Sequence, residues 1–255
     1  MKELPKCENN MIKNGVIQIK SSRVVAIHQP NFFPWLGYFD KIARSDVFIM
    51  LDHVQFPKTG GGVWCNRVKL LVSKEARWVT APILRNFHGV RAICEMEFQA
   101  NNPWRDKLLK SLVANYTRAP FFKETMGFIE PLILNSENNL ARYNGTAVMA
   151  IAKHLGLPTE KLRWSSEMGV DQYASEMLIS LTRAVDGNTY MCGGGAEGYQ
   201  EDTAFAEAGI DLVYQNFQHP VYIQSGSKEF VPGLSIIDAL MNIGLDEVRT
   251  SLHIA

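Results

Sequence analysis

Val24-Val25-Ala26-Ile27-His28-Gln29-Pro30-Asn31-Phe32-Phe33-Pro34-Trp35-Leu36-Gly37-Tyr38-Phe39 opens on four apolar residues and then changes character abruptly. A short, continuous apolar run is the pattern of a strand buried on both faces. A helix-length stretch follows from Leu36 to Arg44, and a second apolar run, Val47-Phe48-Ile49-Met50-Leu51, comes after it. Two buried-type strands joined by a helix make a parallel βαβ unit. Between the first strand and the helix stand polar side chains and two prolines, at the place where open α/β sheets bind ligands.

Outward from this unit the pattern changes and then returns. Val63 to Val72 and Arg77 to Leu84 read as extended segments around a Ser73-Lys74-Glu75 turn, with a further strand expected near Ala92 to Phe98. Helices are expected over Asn102 to Tyr116, Phe121 to Leu134 and Leu140 to Leu155, the last stopped by Gly156 and Pro158. Alternation resumes with a strand at Leu162-Arg163-Trp164, a helix from Gln172 to Ala184 and a strand at Thr189-Tyr190-Met191. A helix from Asp202 to Ala208, a strand from Ile210 to Tyr214 and a helix from Pro232 to Met241 complete the series. The expected fold is α/β, a doubly wound parallel Rossmann-like sheet with a β-rich and helical insertion. Residues 1–22 read as a leader or flexible arm, and 23–255 as one α/β domain with an inserted lobe at about 60–140.

Composition narrows the function classes. Of 255 residues 46% are hydrophobic and 20% charged, ordinary for a chain with a sizeable core. Lys plus Arg equals Asp plus Glu, 26 each, and no stretch gathers basic residues into a stripe, which argues against nucleic acid as the main partner. No apolar run approaches the ~20 residues that span a bilayer. Cys7, Cys65, Cys94 and Cys192 stand far apart, which suggests neither a zinc site nor a disulfide framework. A reducing cytoplasm is the expected compartment.

Four segments could carry chemistry. In the first, His28 can move a proton or bind phosphate, with Gln29, Asn31 and Tyr38 beside it; the helix start after Pro34 offers free N–H groups to an anion. The structural alternative has His28 and Asn31 satisfying loop backbone while the aromatics fill the core. The second runs from Asp52 through Gln55 and Lys58 to Asn66 and Arg67. Asp52 ends the second strand at the same expected edge as His28, the other four are donors suited to phosphate or carboxylate, and Thr59 to Gly62 read as a mobile loop. An ordinary solvated hairpin is the alternative for Lys58 and Arg67. The third is the turn Cys192-Gly193-Gly194-Gly195-Ala196-Glu197-Gly198-Tyr199, where backbone at Gly193 and Gly194 can approach a ligand and Tyr199 closes the loop. It carries neither a Walker pattern nor a Rossmann fingerprint, and Cys192 reads as a core thiol. The last is Gln215-Asn216-Phe217-Gln218-His219-Pro220-Val221-Tyr222, where polar residues follow an expected strand and can bring the loop, His219 included, to the same edge; Ser235 and Asp238 follow in the first turn of the final helix.

His28-Gln29-Pro30, Phe33-Pro34, Gly37-Tyr38-Phe39, Asp52-His53-Val54-Gln55, Asn66-Arg67, the turn ending in Tyr199, Gly209-Ile210 and Leu234-Ser235-Ile236-Ile237-Asp238 together resemble the WbqC-like family, from about residue 24 to 244. That resemblance implies a place in bacterial O-antigen and polysaccharide biosynthesis and, through one family-level suggestion, glycine transfer to an amino sugar. A second likeness, to pantothenate synthetase and its nucleotidyltransferase (HUP-like) fold, rests on strand, loop, Leu36-Gly37-Tyr38 and helix. It places Gly37 at that fold's signature glycine, while Trp35 and Tyr38 stand where two phosphate-binding histidines belong.

The expected activity is an amide-forming N-acyltransferase or ligase that moves an acyl or aminoacyl group to the amine of an amino sugar or nucleotide-linked amino sugar. His28 and Asp52 would be its catalytic pair; Gln29, Asn31, Tyr38, Gln55, Lys58, Asn66, Arg67 and His219 would hold substrate. ATP with Mg²⁺ is one candidate for activation, no metal ligand set is evident, and homo-oligomerisation stays open. The rivals are a non-catalytic nucleotide-sugar or glycan-binding protein and a nucleotidyltransferase.

Overall fold

A computed structural model describes residues 10–13, 16–19, 21–57, 63–193 and 202–254. Lys58, Gly194, Tyr199 and the expected loop from Thr59 to Gly62 lie outside the described residues. In the segment read as an arm, β1 (Asn10–Lys13) and β2 (Val16–Ile19) pair as an antiparallel hairpin. The main sheet is built from β3 (Val24–His28), β4 (Val47–Met50), β7 (Leu162–Trp164), β8 (Thr189–Cys192) and β9 (Asp211–Tyr214), all parallel. Their order is β7-β4-β3-β8-β9. Chain order therefore reverses between β3 and β8, which makes that boundary the switch point of a doubly wound sheet.

Alternation along the strands sorts the core onto two faces. Ala26, Phe48 and Met50 join a large cluster with α1 (Leu36–Arg44), α4 (Leu140–His154) and α7 (Ile236–Ser251). Val25, Ile27, Val47, Ile49, Tyr190 and Cys192 face α5 (Ala174–Ala184) and α6 (Asp202–Glu207). Between β4 and α4 the chain inserts a hairpin, β5 (Arg67–Val72) and β6 (Glu75–Thr80), and two helices, α2 (Trp104–Tyr116) and α3 (Phe122–Ile133). Ser73 and Lys74 turn the hairpin with φ of 53° and 70°, the left-handed pair that a two-residue hairpin loop demands. The insert's buried residues belong to the same cluster as α1 and α4.

Two expected elements differ from what the structure holds. Ala92 to Phe98 is not a strand: Ile93–Glu95 form a 3-10 turn, held by the Glu95 carboxylate accepting from the Ala92 N–H at 2.7 Å. A carboxylate bonding three residues back competes with a ladder, so only single bridges remain, Gln55 to Ala92, Glu97 to Asn139 and Ile83 to Phe98. The last helix starts at Ile236 rather than Pro232, capped by Ser235 Oγ accepting from Ile237 N–H, and runs ten residues beyond Met241 to Ser251. Gly244, with φ of 76° and Phe121 packed against its Cα, breaks it in two.

The loop that leaves β3 is fixed from several sides. Asn144 of α4 donates from Nδ2 to Pro30 O (2.8 Å) and Cys65 O (2.7 Å), and Phe32 N–H donates to Trp64 O (2.9 Å). Phe32 stacks on Tyr143 and meets Trp104 edge-on. Ser235 Oγ donates to Phe33 O, which steadies a residue held at φ 43°. The loop aromatics are thus the core between sheet and insertion, and His28 sits on rigid backbone. No described helix is long and apolar enough to cross a membrane.

Candidate functional site

Two cavities, of about 460 Å³ and 590 Å³, meet at the carboxyl edge of the sheet, and both are lined by His28, Lys41 and Gly193. They lie where β3 and β8 end side by side, the crevice that strand reversal leaves open. α1 follows β3 and α5 follows β7, so both helices begin at this edge. Trp35, Gly37 and Tyr38 bring the start of α1 to one lobe, and Ala174 and Ser175 bring the start of α5 to the other.

His28 is the last residue of β3. Its Nδ1 lies 3.1 Å from Gln29 O. A carbonyl only accepts, so Nδ1 carries the proton of this bond and Nε2 is left as the ring's acceptor. Tyr38 meets the imidazole edge-on at 4.9 Å and donates its hydroxyl to the same carbonyl at 3.1 Å. Burial, helped by the charge of Lys41, pushes His28 down to a pKa of about 3. The ring is therefore neutral at pH 7.

Lys41 lies three residues along α1 from Tyr38 and four from Gly37, so it shares their face. Its side chain is 4% exposed, with no hydrogen-bond or ion-pair partner among the described residues. Burial holds its pKa down at about 8, opposed by the neighbouring Cys192. Nζ comes within 3.5 Å of where a Cβ on Gly193 would stand, so the absent side chain at 193 leaves it room.

The wall beyond Lys41 is clamped. Gln215 Nε2 donates to Gly37 O (2.6 Å) and Asp40 Oδ2 (2.8 Å), while Arg44 donates to Asp40 Oδ2 (3.2 Å) and Gln215 O (2.7 Å). The segment after β9 is thereby tied to α1, and Phe217 and His219 pack on Trp35 at 5.3 Å and 5.1 Å between centroids. Trp35 in turn lies flat against Gly37, where a Cβ would stand 2.2 Å from the indole. The other lobe is more apolar, with Leu51, Met177, Leu178 and Tyr190.

Of the residues expected at the site, the structure brings His28, Gln29, Tyr38 and Gly193 together at the crevice. His219 stands behind Trp35, its pKa lowered by burial. Asp52 is elsewhere. Its carboxylate accepts from Ser165 Oγ (3.0 Å), Ser166 N–H (2.9 Å) and Ser166 Oγ (2.8 Å), and it lines a third cavity with Glu137 and Arg142. His28 and Asp52 do not come together as the expected catalytic pair, because β4 pairs with β7 on its far side and Asp52 turns to the residues that follow β7. Asn66 donates to Ala81 O (3.0 Å), and Gln55 is exposed beside Ala92. Asn31 is 2% exposed, with Oδ1 lacking a hydrogen-bond partner among the described residues. Arg67 lays its guanidinium over Trp78 at 4.1 Å, with Nε and Nη2 buried and without a hydrogen-bond partner among the described residues. Cys192 is a buried thiol, 3.7 Å from Val213 O. Asp238 is structural, accepting from Tyr116, Tyr222 and Gln224.

Gln215 and Phe217 belong to the segment after β9 that the sequence places at this edge, whereas Lys41 was not expected from the sequence. Lys41 carried one signal, its helical spacing from Gly37 and Tyr38. The positions that the likeness to nucleotidyltransferases assigns to phosphate do not suit it, since Trp35 covers Gly37 and Tyr38 spends its hydroxyl on Gln29 O. Among the described residues no group of three His, Cys, Asp or Glu is placed to hold a metal ion.

The sequence model of the WbqC-like protein family matches residues 29–250. An uncharacterized protein of Mycobacterium tuberculosis, Rv1507c, is 30% identical over 227 residues, covering 87% of this chain and 94% of that protein. Among solved structures none matches significantly.

Proposed function

We propose, from the premise that the chain belongs to the WbqC-like protein family, that it is a transferase whose β3–β8 crevice joins an acyl or aminoacyl group to the amine of an amino sugar. A glycyl group is one candidate, and a nucleotide-linked amino sugar is among the acceptors. The family is associated with polysaccharide biosynthesis. A cavity of this size, with His28, Lys41, Asn216 and Gln218 set beside an aromatic wall, suits a small polar acceptor. The observation that carries the reading is the His28 ring, whose Nδ1 is committed to Gln29 O while the residue lines both lobes.

The amine nitrogen attacks the carbonyl carbon of an activated donor, R–CO–X. The C–N bond forms, the C–X bond breaks, and X leaves with the bonding pair. The surplus proton on nitrogen passes to His28 Nε2 and from there to X or solvent. Burial keeps the imidazole neutral, so Nε2 carries no proton at pH 7. Two adjoining lobes would hold donor and acceptor in register, which supplies the orientational part of the rate.

One observation favours a non-catalytic sugar-binding role in the same crevice: a histidine held at about 3 is a weak base. The full chain incubated with candidate amino sugars, with glycine and ATP or with a pre-activated glycyl donor, separates the two. The transferase reading expects an acylated sugar by mass spectrometry. Saturable binding by calorimetry with no product under any donor would leave the binding role.

A further inference from the structure

The residues lining the two lobes include one formal cation, the Lys41 ammonium, and no carboxylate among those described. Lys41 is 4% exposed as a residue and its ammonium has no hydrogen-bond or ion-pair partner among the described residues, so its desolvation is opposed within the described fold only by the neighbouring Cys192. Both flanking helices open on the crevice without a side-chain cap, at Trp35 before α1 and Tyr173 before α5; α1 has no acidic residue in its first turn, and α5 has one, Glu176, which does not line the crevice. Uncapped N–H groups and the positive ends of two helix dipoles add to the Lys41 charge from both sides. The shape is equally uneven. One lobe has Trp35 and Phe217 as an aromatic wall, the other is lined by Leu51, Met177, Leu178 and Tyr190, and the lobes join at Lys41. A ligand that fills both must be anionic where it passes Lys41 and bulkier at either end.

We propose that the crevice takes a ligand with a diphosphate bound by Lys41 and a ring in each lobe, the class being a nucleoside-diphosphate-linked sugar. This rests on the reading of the crevice as the substrate site and narrows it from amino sugars in general to diphosphate-linked ones. Lys41 acts as a binding residue that touches the substrate's phosphates.

Calorimetry on the full chain tests it with four probes: UDP, ADP, inorganic pyrophosphate and the uncharged nucleoside uridine. Wild type is expected to bind a nucleoside diphosphate more tightly than pyrophosphate, and uridine weakest of all. Lys41→Met, which keeps the length of the side chain without the charge, is expected to weaken diphosphate binding about 10- to 100-fold, the effect of losing one charge-assisted contact. Circular dichroism and a melting curve establish that the variant is folded. Equal binding by folded Lys41→Met and wild type would overturn the proposal, as would no saturable binding of wild type to UDP, ADP or pyrophosphate. The two readings fail separately. Charge-dependent diphosphate binding with no acyl product under any donor leaves the anion site and removes the transferase. Acylation of an unphosphorylated amino sugar with equal efficiency by wild type and Lys41→Met does the reverse.

Discussion

Lys41→Met should make the protein more stable, by an amount that depends on pH. In the unfolded chain the lysine keeps its ordinary pKa of 10.5, whereas burial brings it to about 8 in the fold. Below pH 8 both states carry the proton, and the folded state bears the full penalty of a buried charge that has no partner among the described residues. At ~1.4 kcal/mol per pH unit, the gap between the two values corresponds to about 3 kcal/mol. Between pH 8 and 10.5 the unfolded state holds more protons than the folded one, so the penalty declines as pH rises and is gone near the upper limit. Methionine is similar in length and carries no charge. At pH 7 the variant should therefore melt about 6–12 °C above wild type, given roughly 2–4 °C per kcal/mol for a chain of this size. Repeated near pH 10.5, the difference should close. Melting curves at the two pH values are sufficient. A variant less stable than wild type at both, or a gain that does not change with pH, would refute the reasoning and make Lys41 a supporting residue of the core.

His28→Ala should lower acyl transfer by about 10²- to 10⁴-fold while leaving the fold intact, read from product formation at saturating substrate alongside a melting curve. Gly37→Ala drives a Cβ into the Trp35 indole and should cost about 1–3 kcal/mol, with a change in tryptophan fluorescence as the ring leaves α1. Asp238→Ala strips the acceptor from Tyr116, Tyr222 and Gln224 in a buried network, and denaturant unfolding should show a loss of about 3 kcal/mol or more.

The sheet and most helices were legible because their signals are local. Leu36 to Arg44 is bounded by Pro34 and by the return of a β-type run, and α1 occupies the expected residues. Ser73-Lys74-Glu75 marked the β5–β6 hairpin for a similar reason. Ala92 to Phe98 misled because the carboxylate of Glu95, by capping Ala92, outweighs the β tendency of the residues around it. The site was legible only in part, and strand order is the cause. Ends of β3 and β4 are neighbours, so His28 and Asp52 share an edge as expected, yet the crevice opens between β3 and β8 while Asp52 serves the turn after β7. Nothing local in the sequence encodes which of two flanking strands a terminal side chain will face. Lys41 was hidden by a different effect. On an amphipathic helix a lysine reads as solvent-facing, but α1 buries seven consecutive residues, Leu36 to Ile42, and Lys41 goes with them.

Turnover of wild type, His28→Ala and Asp52→Asn, compared side by side with one amino-sugar acceptor below the melting point of each, tests the assignment of the chemistry to the β3–β8 crevice most directly. The expected result is that His28→Ala loses acylated product and Asp52→Asn retains it. Product from His28→Ala at the wild-type rate, with loss in folded Asp52→Asn, would move the chemistry to the cavity beside β7.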